Sequence, residues 1–213
     1  MKAFIVVDLQ NDFLPGGSLA VSTGHAIIQP INQLLQLPFD IVVATKDWHP
    51  KDHGSFASVH GKKVGEHIQL NKLDQILWPD HCIQNSSGAD FSINLDTQYI
   101  KKIFYKGTTR DVDSYSAFFD NAHLKSTGLY EFLKEKNVDE VFIAGLTTEY
   151  CVKYSALDAL KLGFKTHVIV DACKAVNLGL NDEEKALKEM SKAGIILDRS
   201  DKIKAYFNGV QGE

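Results

Sequence analysis

The chain has no excess of basic residues. Its 23 lysines and arginines stand against 27 aspartates and glutamates, a net charge of −4. That balance offers no electrostatic footprint for nucleic acid or for an anionic membrane surface, so neither is expected as a partner. No apolar run approaches the ~20 residues that a membrane-spanning helix needs. The segment MKAFIVVDLQNDF has too few apolar residues between Lys2 and Asp8 to serve as a signal peptide. Three cysteines, an odd number in a chain of this length, do not make a disulfide framework and suit reduced thiols in a cytoplasm. Internal repeats, low-complexity tracts and linkers are also missing. What is left is ordinary globular composition, 44% hydrophobic and 23% charged over 213 residues. It is enough to bury a sizeable core, and residues 1–213 read as a single domain.

Short apolar runs alternate with helical patterns along the chain. The strand-like runs are 3–7 (AFIVV), 40–45 (DIVVAT), 100–105 (IKKIFY), 141–144 (VFIA), 166–170 (THVIV) and 195–197. Between them, helical signals cover 25–37, 129–136, the segment after Gly145, and 181–193. This order predicts an α/β fold with three α/β/α layers around a central, mainly parallel, six-stranded sheet. Residues 50–94 show little periodicity but many His, Gly, Asp and Ser. That is too long for a plain connector, and such loops usually carry function.

Five chemistry-bearing residues follow directly, or nearly so, on the expected strands: Asp8, Asp47, Lys106, Cys151 and Asp171. In a parallel sheet the carboxyl ends lie along one edge, where ligands bind, so these distant positions are expected to meet around one crevice. Cys151 falls in the first turn of a helix. Unsatisfied N–H groups and the helix dipole there favour a thiolate, and the same N–H groups can receive an oxyanion. The alternative for Cys151 is a small buried apolar residue. A thiol needs a base, and Asp8 is the acid–base candidate. Lys106 is expected to balance charge beside them.

A second cluster lies between positions 47 and 81. Asp47 and His49 are two apart, so on an extended chain their side chains point the same way. With His53 and His81 they supply the carboxylate and imidazole groups that suit Zn, Fe or Mn. A plain surface histidine cluster is the competing reading. Cys82 could be a thiolate ligand or a buried spectator. Phe13, Trp78 and Tyr115 flank the two clusters, either as core residues or as a clamp on a flat ring.

The combination VVDLQNDF, DWH with a following His, WPDHC, YKG and GLTTEYCV resembles the isochorismatase-like cysteine hydrolases, and within them the nicotinamidase/pyrazinamidase group. The resemblance runs from about Ala3 to Asp171. It implies a catalytic triad of Asp8, Lys106 and Cys151, and an oxyanion hole from the N–H groups of Thr147 and Cys151 after a cis peptide at Leu146. It also implies one divalent metal ion on Asp47, His49 and His81, with His53 a ligand or near neighbour. Phe13, Leu19, Trp78, Tyr115 and Leu146 would bind substrate. Loop 46–95 would bind the metal and cap the pocket. The expected activity is hydrolysis of nicotinamide, and of pyrazinamide, to the acid and ammonia in NAD salvage, by a cytoplasmic enzyme that could self-associate as a homo-oligomer. Two alternatives stand beside it: an amidohydrolase acting on N-carbamoyl or ureido compounds, and a non-catalytic metal-binding protein of the same fold.

Overall fold

The structure, a computed structural model, describes residues 1–209. Its elements in chain order are β1 (Lys2–Val7), α1 (Ile28–Leu35), β2 (Ile41–Asp47), β3 (His67–Leu70), β4 (Leu73–Ile76), β5 (Lys102–Lys106) and α2 (Leu129–Glu135). Then come β6 (Glu140–Leu146), α3 (Lys153–Lys161), β7 (Lys165–Lys174), α4 (Asp182–Ala193), β8 (Ile196–Asp198) and α5 (Ser200–Gly209). Six of these eight strands form one parallel sheet in the order β5-β2-β1-β6-β7-β8, as the alternation of runs predicts.

The strands are apolar because both faces are covered. Ala3 to Val7 are fully buried, as are Val141, Ile143 and Ala144. The chain leaves β1 for β2 on one side of the sheet and later leaves β6 for β7 on the other. Right-handed crossovers in opposite directions put α1 and α3 on opposite faces. Helix α1 packs with α5, and α3 packs with α4. The strand order therefore reverses between β1 and β6, and a crevice opens at their carboxyl ends. Gly145 lets these strands close, because a Cβ there would strike the Val7 backbone, and its φ of +133° suits only glycine.

Three features depart from the expectations. Within the long loop, β3 and β4 form an antiparallel hairpin joined at Asn71 and Lys72, whose φ values of +50° and +68° make a two-residue turn of the primed type. The turn lacks the glycine that usually marks it. Strand β7 runs on to Lys174, and its register against β6 jumps from Ile143–Val168 to Gly145–Cys173. Asp171 sits in that irregular stretch and accepts from the Ser200 N–H and hydroxyl at 2.8 and 2.7 Å. It caps the start of α5 and does not reach the crevice, which corrects the expectation that it joins the other four. Helix α5 itself, with Ile203 and Phe207 buried one turn apart, had no assigned element in the residue pattern.

Candidate active site and metal site

Asp8 and Cys151 follow the two strands that flank the switch point. Asp8 ends β1 with a φ of +49°. After β6 the Leu146–Thr147 peptide is cis, and the chain makes a π-type turn over Thr148–Val152 before α3. Cys151 lies in that turn and is 6% exposed. Lys106 arrives from β5 across Asp47 of β2. Its Nζ is 2.9 Å from Asp8 Oδ2, 3.3 Å from Cys151 Sγ and 3.0 Å from the Ser114 carbonyl, and it bonds Asp47 Oδ1. One ammonium thus touches an acid, a thiol and a metal-donor candidate at once.

Electrostatics follow from burial. The side chain of Lys106 is fully buried, which by itself would discharge it, but Asp47 and Asp8 hold its ammonium well above the usual range. Burial would raise Asp47 too, yet Lys106 and the His49 and His81 rings hold that carboxyl well below the usual range. For Asp8, burial wins over Lys106 and the carboxyl is raised, helped by the nearby Asp47 charge. Asp8 Oδ1 accepts from the Thr45 hydroxyl at 2.6 Å, while Oδ2 accepts no aligned hydrogen bond. Burial also pushes the Cys151 thiol well above its ordinary value, with Lys106 opposing. The thiolate expected from a helix start is therefore overridden at rest by desolvation.

Asp47, His49 and His81 present donor atoms that all lie within 4.8 Å of one another. His49 Nδ1 donates to the Gly107 carbonyl at 3.0 Å, and His81 Nδ1 to the Pro79 carbonyl at 2.7 Å. Both rings thereby turn Nε2, the atom that becomes a metal ligand once it has given up its proton, inward to 3.6 and 3.7 Å from Asp47 Oδ2. Bonds of ~2.1 Å to a shared cation place donor pairs about 3.0–3.6 Å apart, so these residues fit a divalent ion after a small closure. His53 lies against His49, with ring centroids 4.3 Å apart, but its donor groups with His49 and Asp113 instead. Burial and the neighbouring His49 push its pKa down to about 4, so the ring is neutral. Its Nδ1 faces the Ser55 hydroxyl at 2.7 Å. Cys82 is buried, and burial raises its thiol well above the ordinary value; it is not part of these donor groups.

A pocket joins the two clusters and is lined by Phe13, Leu19, Trp78, Tyr115, Thr147 and Cys151, with Asp47 and His81 on the metal side. Trp78 Nε1 donates to the Tyr115 hydroxyl at 3.2 Å, and Trp78 meets Tyr150 edge-on at 4.9 Å. These rings wall a slot suited to a flat aromatic molecule. Leu146 is fully buried and its neighbour Thr147, across the cis peptide, lines the pocket. Sequence reasoning missed Asp113, Tyr150 and Val176, which do line the slot. Tyr150 could have been found beside Cys151; Asp113 and Val176 lie in segments with no pattern to mark them.

The isochorismatase domain profile matches residues 2–201. The chain belongs to the isochorismatase domain family. Within that family it is 47% identical over 199 residues to the nicotinamidase of Escherichia coli (strain K12), covering 92% of this chain and 93% of the relative. Its fold is similar to an Acinetobacter baumanii nicotinamidase/pyrazinamidase, with a TM-score of 0.90 and 45% identity over 95% of this chain and 97% of that one. The pyrazinamidase of Pyrococcus horikoshii in complex with zinc is 38% identical, with a TM-score of 0.76 over 93% of this chain and 98% of that one.

Proposed function

We propose that this chain is an amidohydrolase of NAD salvage that converts nicotinamide, and the analogue pyrazinamide, to the carboxylic acid and ammonia through a thioester on Cys151. The observation that carries the reading is the Lys106 ammonium in contact with Asp8, Asp47 and Cys151 at the end of an aromatic slot. Family membership at 47% identity to a nicotinamidase supports the choice of substrate.

In this reading the aromatic ring enters between Trp78, Tyr115 and Phe13, and its carboxamide carbon comes to Cys151 Sγ. As the C–S bond forms, the thiol proton passes to Asp8 Oδ2. The N–H groups of Thr147 and Cys151 receive the oxyanion, each donor contributing about 3 kcal/mol. Asp8 then gives its proton to the amide nitrogen, the C–N bond breaks and ammonia leaves. Water, losing a proton to Asp8, attacks the thioester, and the sulfur departs with that proton to restore the thiol. A divalent cation held by Asp47, His49 and His81, with His53 as a fourth donor or neighbour, would supply a Lewis-acidic partner for the pyridine nitrogen; zinc, iron and manganese all suit these donors.

We read residues 1–213 as one domain, with loop 46–95 as its metal-binding and capping part. The three cysteines are unpaired, which supports a reducing, cytoplasmic setting. No helix among the described residues is long and apolar enough to cross a membrane. The test is ammonia release by metal-loaded protein from nicotinamide, pyrazinamide and an N-carbamoyl amino acid. Turnover of the two aromatic amides is expected; activity confined to the N-carbamoyl compound would overturn the reading.

A further inference from the structure

The turn after β1 carries a side chain that the proposed reaction does not use. Gln10 is fully buried. Its Nε2 donates to the Asp47 carbonyl at 2.8 Å and to the Ala89 carbonyl at 3.0 Å, and its Oε1 accepts the Asp47 N–H at 2.8 Å. A single primary amide therefore satisfies both the N–H and the C=O of one residue, as a neighbouring strand would. The ladder between β1 and β2 ends at Val6–Ala44, and β1 turns away at Asp8. The Gln10 amide takes over one strand-width later, on the residue whose carboxylate matters most.

Asp47 divides its carboxylate between two tasks. Oδ1 bonds Lys106, and Oδ2 faces the His49 and His81 Nε2 atoms. Metal–donor distances are tolerated only within about 0.2 Å, so a small rotation of the Asp47 backbone would trade one task against the other. Asp12, two residues on, accepts the N–H of Cys82 at 2.7 Å, next to His81. The segment that carries Asp8 thus also grips the backbone beside two of the three metal donors.

We infer that Gln10 is a positioning residue for the cation site: its amide sets the Asp47 backbone so that one carboxylate serves both Lys106 and a divalent ion. The inference rests on the reading of Asp47, His49 and His81 as that site. Second-layer groups that orient metal ligands typically contribute 10–100-fold in affinity. The test measures the zinc Kd of folded, metal-stripped full-length protein by competition with a chromophoric chelator. Gln10→Met keeps the shape and loses all three hydrogen bonds; its zinc Kd is expected to rise about 10–100-fold. If that variant does not fold, Gln10→Glu sets a carboxylate against the Asp47 and Ala89 carbonyls, and a shift in the same direction is expected. Thr166→Val serves as a control for stability alone. Its hydroxyl bonds the Phe164 carbonyl at 3.0 Å near the start of β7, at the opposite end of the sheet, so its Tm should fall while its zinc Kd stays at the wild-type value.

A folded Gln10 variant whose Kd stays within about twofold of wild type overturns the inference, whatever its Tm, because a purely structural amide would lower Tm alone. Wild-type protein that binds no zinc, iron or manganese overturns the inference together with the metal site. Wild-type protein that binds zinc and releases no ammonia from nicotinamide sinks only the amidase reading, and a raised Kd in Gln10→Met still supports the role of Gln10.

Discussion

Replacing Lys106 by methionine separates two roles that its position allows. At an effective dielectric of ~20, a unit charge 3.3 Å away is worth about 5 kcal/mol and one 2.9 Å away about 6 kcal/mol; these are the distances from Nζ to Cys151 Sγ and Asp8 Oδ2. When the thiol proton moves to Asp8, the ammonium gains attraction to sulfur and loses nearly the same attraction to the carboxylate. Lys106 therefore leaves the transfer close to balanced, and its main effect is to keep Asp8 ionised before substrate arrives. Without it, only the Thr45 hydrogen bond offsets the burial and the Asp47 charge that already raise Asp8, and the base is expected to be occupied by a proton at neutral pH. Lys106→Met is expected to lose on the order of 10² in kcat/KM at pH 7, and the acid limb of its pH profile should move upward by more than about one unit. Stability should fall by about 3–5 kcal/mol, because two buried carboxylates lose their partner. Ammonia release measured from pH 5 to 10 on protein that is folded by circular dichroism decides the matter. A variant that is slow but keeps the wild-type acid limb refutes the charge-balance reasoning.

Four further outcomes are expected. Cys151→Ala should lose more than about 10³-fold in turnover while still binding nicotinamide, seen by calorimetry; near-wild-type turnover would refute the thioester. Dialysis against a chelator should abolish turnover, and zinc, iron or manganese should restore it; full activity in protein shown metal-free by elemental analysis would sink the metal site. Gly107→Ala should weaken zinc binding and cost about 1–3 kcal/mol in stability, because Gly107 has φ +64° and a Cβ there would strike the His49 ring; an unchanged zinc Kd and Tm would show that the ring has room to shift. Burial would raise Asp198, but Lys202 and His167 hold its carboxyl below the ordinary range. A depressed pKa adds stability above the unfolded value of ~3.9 and loses it as pH falls through the folded value. Asp198→Asn should then cost about 2 kcal/mol at pH 7, and the gap to wild type in denaturant midpoints should begin to narrow below about pH 4 and go on narrowing as pH falls through the folded value. A gap that does not narrow at all between pH 5 and about pH 2 would contradict that assignment.

The strands were legible because burial on both faces of a parallel sheet writes continuous apolar runs such as Ala3–Val7 and Val141–Ala144. Asp8, Asp47, Lys106 and Cys151 were legible because each stands at or just past the end of such a run. The β3–β4 hairpin was hidden by a turn, Asn71-Lys72, without glycine. Asp171 was misplaced because nothing local reveals that β7 slips its register against β6.

Local chain properties thus determined which residues could do the chemistry: a thiol at the start of a turn, acids and an amine at strand ends, imidazoles in a long polar loop. The tertiary structure alone decided their state. Packing β5, β2, β1 and β6 side by side buries one ammonium among two carboxylates and a thiol, and the shifts that follow depend on distances of a few ångströms between positions up to 143 residues apart, Asp8 and Cys151. Desolvation and Coulomb forces act through space, so the protonation of the thiol, the aim of the histidines and the grip of Gln10 on Asp47 exist only once the chain has folded.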